Sequence, residues 1–319
     1  MARPFKRDIN FLGHRRILFI ISGLMIIATC ILLPLRGLNF GIEFVGGSSM
    51  EFKDTGGLSI ETMRETFNDA DIASPIIQTS IDARTGAAGF IVRVPITDAQ
   101  EASQAADRVV AALELNPEQV EVSTINPSWG AAVTQTSLLA FGVAMLLIII
   151  YIAFRFEYKM GISSVISLIH DLVIIVGIYS LSGREVSPNV IAALLTIMGY
   201  SLYDSVVVFH RVNDNMGSTA NHSFITVSNH SINQVLMRTI NTTLAAMIPV
   251  VAMLFFGGET LRDFAFAMTI GLVLGPYSSI AIAAPIYALW KQREPKYKKQ
   301  YEKFGEGMDV FTTAEQLGE

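Results

Sequence analysis

Two side chains of opposite charge stand where a relay inside a membrane would need them. Asp204 lies within the apolar run 187–209, and Arg238 sits at the mouth of the next run, 239–257. An ionisable group inside a bilayer costs on the order of 2.5–3.5 kcal/mol, so each needs a physical reason. Thr196, Tyr200 and Asp204 are spaced by four and form one helical stripe. Arg238, Asn241 and Thr242 form a matching stripe on the following run. A carboxylate facing a guanidinium across two helices can take up a proton, loosen its hold on the cation and release the proton again. The same two groups can also act as a fixed ion pair that sets helix register.

A third polar stripe lies on the run 161–182. There Asp171 falls near mid-membrane, below Ser163, Ser164 and Ser167, and follows His170. No second histidine or nucleophile has a spacing that would make His170–Asp171 a metal or catalytic site, so a supporting role is expected. Three stripes on adjacent helices would line one hydrated path. Gly271 and Gly275 make a GxxxG with Ser278 one turn on, which lets another helix approach closely. Pro276 and Pro249 are expected to kink their helices.

The elements that position these groups are membrane spans. The chain of 319 residues is 51% hydrophobic and 16% charged, where soluble chains carry about a quarter charged residues. Its mean hydropathy is +0.46. About 20 apolar residues cross the hydrocarbon core, and six runs qualify: 17–36, 130–154, 161–182, 187–209, 239–257 and 264–290. The first has 19 uncharged residues, Ile17–Leu35, longer than a signal-peptide core, and reads as a retained anchor. Lys and Arg cluster in 1–16, between the second and third runs, and in 291–319, which places both termini in the cytoplasm. Residues 210–238 then form a cytoplasmic loop. Starting near Asn189, Asp204 lies roughly 22 Å deep at about 1.5 Å per residue, in the cytoplasmic third.

Residues 37–126 are therefore outside, and acidic, with 14 Asp and Glu against five Lys and Arg. Strand patterns at Ser48–Lys53, Ser74–Ser80, Gly89–Val94 and Gln119–Ile125 alternate with helical patterns at Leu58–Ala70 and from Thr97 to about Leu115. Thr97 with Gln100 makes a capping box. The order β-α-β-β-α-β is ferredoxin-like. The expected fold is a polytopic α-helical membrane protein of six spans with a small α+β ferredoxin-like extracytoplasmic domain after the first. A net charge of −5 without a basic face gives no nucleic-acid footprint. The one cysteine, Cys30, permits no disulfide. Gly46-Gly47 lacks a following phosphate-binding helix, and no metal or catalytic constellation converges, so an enzyme is not expected.

The motifs GLNFGIEFVGGSSMEF (37–52), RFEYKMGISSVISLIHD (155–171), LLTIMGYSLYDSVVVFHRVNDN (194–215), RTINTTL (238–244) and FFGGETLRDFAFAMTIGLVLGPYSS (255–279) resemble, in order, the SecD/SecF family. Glu43, Gly46 and Gly47 match its signature after the first span, with Glu43 replacing the usual Asp; His210 stands where the family usually has Asp. The resemblance implies half of a transporter of the resistance–nodulation–division (RND) superfamily, an accessory subunit of the bacterial preprotein translocase in the inner membrane. It implies SecD as partner, completing a pseudo-symmetric twelve-span unit, with the SecYEG translocon and YajC nearby. Unfolded secretory proteins and membrane lipids would be its other contacts. It implies the proton-motive force as energy source, H⁺ as coupling ion, no cofactor, and Asp204 and Arg238 as the proton-path pair. Other readings of the residues are a half-exporter of lipids or small molecules, and a non-transporting scaffold.

Overall fold

A computed structural model describes residues 8–72, 75–81, 86–216 and 222–306. Ser74 and the basic residues Arg3, Lys6 and Arg7 lie outside them. The chain runs as α1 (Arg15–Arg36), β1 (Asn39–Phe40), a short α2 (Ile42–Val45), β2 (Gly47–Phe52), α3 (Ile60–Asp69), β3 (Ile76–Ile81), β4 (Ala88–Val94), α4 (Ala99–Ala112) and β5 (Val120–Ile125). Then follow α5 (Pro127–Arg155), α6 (Tyr158–Ser182), β6 (Glu185–Val186), α7 (Pro188–Asp214), α8 (Phe224–Phe256), α9 (Gly258–Ser278), a π-helical turn (Ser279–Ala283), α10 (Ala284–Gln292) and α11 (Pro295–Phe304).

Among the described residues six helical stretches are long and apolar enough to cross a membrane: α1, α5, α6, α7, α8, and Leu261–Gln292, which joins α9 to α10. They are not equivalent. About half of α6, α7 and the α9–α10 stretch is buried (56%, 50% and 61%), against 11%, 6% and 17% for α1, α5 and α8. The first three are the centre of the bundle and the others its periphery. On α1 and α5 the exposed side chains are apolar, such as Ile20, Leu24, Leu138 and Leu147, as lipid contact requires.

The α+β domain has a four-stranded sheet ordered β3-β4-β2-β5 with every neighbouring pair antiparallel. That order is the ferredoxin-like one expected from the pattern. One sheet face is apolar because strand side chains alternate: Met50 and Phe52 from β2 and Phe90, Val92 and Val94 from β4 pack on Met63 and Phe67 of α3 and on Ala102, Ala105 and Val109 of α4. The N-cap of α4 is Asp98, whose carboxylate accepts from the backbone N–H of Gln100 and Glu101, and not Thr97 as the capping-box pattern suggested. A carboxylate at that place also answers the positive end of the helix dipole.

A further expectation is corrected. Residues 210–238 are not mainly loop: α7 continues to Asp214 and α8 starts at Phe224, nine turns from its end. The polar residues of 226–234 hid a helix because most of them, Thr226, Ser228, Asn229, His230 and Ser231, are buried within the protein. The last span is irregular just past Pro276, where a kink is expected. It passes through the π-turn between Pro276 and Pro285, each of which lacks an N–H for the helical ladder.

The domain is fastened to the bundle at several points. β1 pairs in parallel with β6, between α6 and α7. Arg93 of β4 forms an ion pair with the buried Glu185. Within the bundle, the loop that carries β6 is itself held to α9: Arg184 meets Asp263 at 3.4 Å, and the Tyr179 hydroxyl of α6 donates to the Asp263 carbonyl at 3.0 Å. Gly46 and Gly47 make the junction possible. Gly47 has φ +135°, and a Cβ there would lie 2.8 Å from the Val94 carbonyl oxygen; at Gly46, with φ +80°, it would lie 2.9 Å from the Pro127 Cα. Gly47→Ala is accordingly expected to destabilise the domain by about 1–3 kcal/mol. Limited proteolysis in native membranes reads this as earlier cutting within 47–125, and unchanged resistance would refute it.

At the other end the first and last described segments meet. The backbone N–H groups of Ile9 and Leu12 donate to Asn233 and Asn229 of α8, and Asp8 pairs with His230 at 2.6 Å. Arg15 binds Glu306 at 2.9 Å, and this hydrogen bond holds the Glu306 carboxyl below its usual range. Glu294 is partly desolvated, which opposes ionisation, yet the ammonium groups of Lys159 (2.7 Å) and Lys291 (3.2 Å) hold its pKa low as well.

Candidate functional site

The centre of the bundle is polar. It lies between two apolar clusters, one including Val208, Phe209 and Tyr287, the other Ile174, Ile197 and Leu272. Asp171 of α6 is fully buried. Its Oδ2 accepts from the Ser201 hydroxyl of α7 at 2.7 Å and from the Ser278 hydroxyl of α9 at 2.7 Å. Its Oδ1 lies 3.1 Å from His170 Nδ1. One turn along α7, the Ser205 and Ser279 hydroxyls meet at 2.9 Å. Asp204 completes the group: it is 2% exposed, and its Oδ2 has no hydrogen-bond partner among the described residues. The space beside it is the hollow over Gly275, where a Cβ would lie 3.8 Å from Asp204 Oδ2 and 3.6 Å from the Ser201 Cβ.

This arrangement differs from the expected one. No ion pair joins Asp204 and Arg238 among the described residues. Arg238 Nη2 instead donates to the Tyr203 hydroxyl at 2.9 Å on an exposed face of the bundle. Asn241 and Thr242 are exposed with it, and the Thr242 hydroxyl is spent on the carbonyls of Arg238 and Thr239. Thr196 is exposed and bonds back to the Ala192 carbonyl, while the Tyr200 hydroxyl is buried without a partner. So the polar stripes of α6 and α7 converge with α9 inside the bundle, and the stripe of α8 faces out.

The reason is helical geometry. Residues eight apart sit about 80° from one another around a helix axis, so the row Thr196–Tyr200–Asp204 winds off the face that carries Asp204. Ser201, three residues from Asp204, lies on the same side of α7, and Ser205, four residues from Ser201, continues the row that Ser201 begins. Neither was singled out from the sequence, nor was Ser279, although the run of small hydroxyls around Asp204 and after Gly275 carried the signal.

Beneath Arg238 lies a cavity of about 580 Å³ lined by His210, Arg211, Asp214 and Gln234 among others. His210 Nδ1 is 3.2 Å from Asp214 Oδ2, so the histidine keeps an acidic contact on its own helix. At the opposite end a cavity of about 310 Å³ is lined by Glu43, Glu51, Arg93, Ser187 and Asp263, at the joint between the α+β domain and the bundle. Glu43, Gly46 and Gly47 thus belong to that joint and not to the buried cluster. Among the described residues no group of three or more His, Cys, Asp or Glu is placed to hold a metal ion. The buried cluster can hold and pass protons, because it combines two carboxylates and four hydroxyls away from water.

Comparison with known proteins adds the following. A family profile described as "Protein export membrane protein SecD/SecF, C-terminal" matches residues 105–293, and one described as "SecD/SecF GG Motif" matches residues 31–53. Protein translocase subunit SecF of Streptomyces coelicolor is 35% identical over 297 residues, covering 91% of this chain and 78% of its own. SecF of Endomicrobium trichonymphae is 36% identical, covering 92% and 94%. Protein translocase subunit SecDF of Thermus thermophilus is 34% identical over 89% of this chain, which spans only 39% of that longer protein. The crystal structure of SecDF from the same organism superposes with a TM-score of 0.79 at 32% identity, over 90% of this chain and 39% of that one.

Proposed function

The chain belongs to the SecD/SecF family of protein export membrane proteins, and from that premise we propose that it couples proton entry to the outward movement of secreted polypeptides. Its accessory role in protein export follows from the family; the energy source and the residues that use it are the proposal. The observation that carries it is Asp204, a carboxylate 2% exposed, whose Oδ2 has no hydrogen-bond partner among the described residues and faces the side-chain-free Gly275. A buried group of that kind is held ready for a proton.

In this reading the partner is SecD. In SecDF relatives the part matching this chain is about two fifths of one longer chain. The exposed Arg238, Asn241 and Thr242 support the same reading, since a guanidinium on a lipid-facing surface would be costly. A second membrane half laid over α8 would cover them and bring Arg238 into a shared path. The end of the bundle carrying the termini faces the cytoplasm, by its Lys and Arg content, and the α+β domain faces outward. The membrane is then the bacterial inner membrane, with SecYEG and YajC as further neighbours.

The test is secretion into inner-membrane vesicles containing this chain and its partner, under an imposed pH gradient and then an imposed sodium gradient. Stimulation by the pH gradient alone is expected. Stimulation by sodium at uniform pH would overturn the proton assignment.

A further inference from the structure

Asp171 is buried more completely than Asp204 and is more heavily bonded, and nothing in the relay just described uses it. Its bonds come from three helices: His170 on α6, Ser201 on α7 and Ser278 on α9. Two hydroxyls donating to the same oxygen suit an ionised carboxylate. Ser201 and Asp204, three residues apart on α7, both lie against the side-chain-free Gly275 of α9. We propose that Asp171 is a second proton-holding carboxylate, loaded from Asp204 through the Ser201 hydroxyl. The inference rests on the proton-coupled reading of Asp204.

The step is a proton transfer and nothing else. Asp204 and Ser201 share no hydrogen bond in this structure, so the protonated carboxyl first turns toward Ser201 past Gly275; its O–H bond then breaks as its hydrogen goes to Ser201 Oγ. The serine's own hydrogen passes to Asp171 Oδ2, so one carboxyl becomes ionised, the other neutral, and the serine is unchanged. The titratable groups facing Asp171 are His170 on its own helix, Asp204 from α7 and Tyr277 from α9, whose ring lies 6.1 Å from that of His170. The helix α1 brings the buried hydroxyls of Ser22 and Thr29, the π-turn brings Ser279, and α10 brings Tyr287 in the adjoining apolar cluster. Helix α5 meets α6 at Ile152 against Gly161 and brings none.

Loading Asp171 has a mechanical consequence. A protonated Oδ2 is a poorer acceptor and cannot hold both hydroxyls as before. Ser278, released, is the residue at which α9 gives way to the π-turn. An irregular turn already between two ladder patterns is the part of a helix that shifts register most readily.

Infrared difference spectroscopy of the full chain in lipid vesicles, across a pH jump, reads protonated carboxyl groups directly by their carbonyl stretch. Two pH-dependent bands are expected: Asp171→Asn loses one, and Asp204→Asn loses the other and delays the rise of the Asp171 band after the jump, while an Asp171 band that rises equally fast in Asp204→Asn would overturn the transfer. In Ser201→Ala and Ser278→Ala both carboxylates remain; the Asp171 band should shift in frequency and the Asp204 band should not. A single band, lost only in Asp204→Asn, would overturn this inference and leave the proton-coupled reading standing. No pH-dependent band in the unmodified protein would overturn both. Should Asp171→Asn fail to fold, an unshifted spectrum in both serine variants would still overturn the inference.

Discussion

Asp204→Asn is expected to abolish gradient-driven secretion while leaving the chain as stable as the unmodified protein. Moving one elementary charge across about 100 mV is worth about 2.3 kcal/mol, so losing one coupled proton removes roughly fiftyfold of drive. The stability half of the expectation comes from the structure. Were Asp204 in a buried pair with Arg238, its neutralisation would strand a cation at a cost of about 3–5 kcal/mol. But Arg238 is bonded to Tyr203, and Asp204 Oδ2 has no partner to lose. Secretion assayed in vesicles, beside a thermal denaturation of the purified chain, separates the two effects. Intact secretion would refute the mechanism, and a large fall in stability would restore the ion pair.

Phe52→Ala should have the largest effect on stability. Phe52 is fully buried on the central strand β2, with its ring 5.9 Å from that of Phe67 and nearly perpendicular to it. Removing such a ring costs about 3–5 kcal/mol in transfer and cavity terms, a large part of the roughly 5–15 kcal/mol that holds a whole domain. Protease digestion of intact membranes should then cut within residues 47–125 and spare the six spans. Phe52→Leu, which keeps most of the volume, should be cut far more slowly. Equal resistance of Phe52→Ala and the unmodified protein would show that the bundle, not the apolar core, holds the domain together.

The sequence was most informative where one physical requirement acts alone. Apolar length placed the crossings, and strand alternation gave the order of the α+β domain, because a residue either faces lipid or sheet core or it does not. It was less informative where two environments compete. The segment 226–234 is polar in composition yet lies buried in helix α8, since hydrogen bonds to the N-terminal residues replace those to water. Asp204 and Asp171 were legible as costly groups, but their partners were not. Spacing by four selected Thr196 and Tyr200, whereas the cluster is built from Ser201 and Ser205, and from Ser278 across the bundle. Nothing along one helix reveals which of its faces a neighbour will cover.

The pairing of Asn39–Phe40 with Glu185–Val186 sets an order of events during synthesis. The partners are 146 residues apart, and at about 5–20 residues per second the second strand follows the first by roughly 7–30 s. All four strands of the α+β sheet lie within residues 47–125, so that sheet is complete before its mooring exists. For the roughly 3–12 s that separate Ile125 from Glu185 at that rate, a finished domain is held only by the spans at its two ends, and it is moored when the loop after α6 arrives.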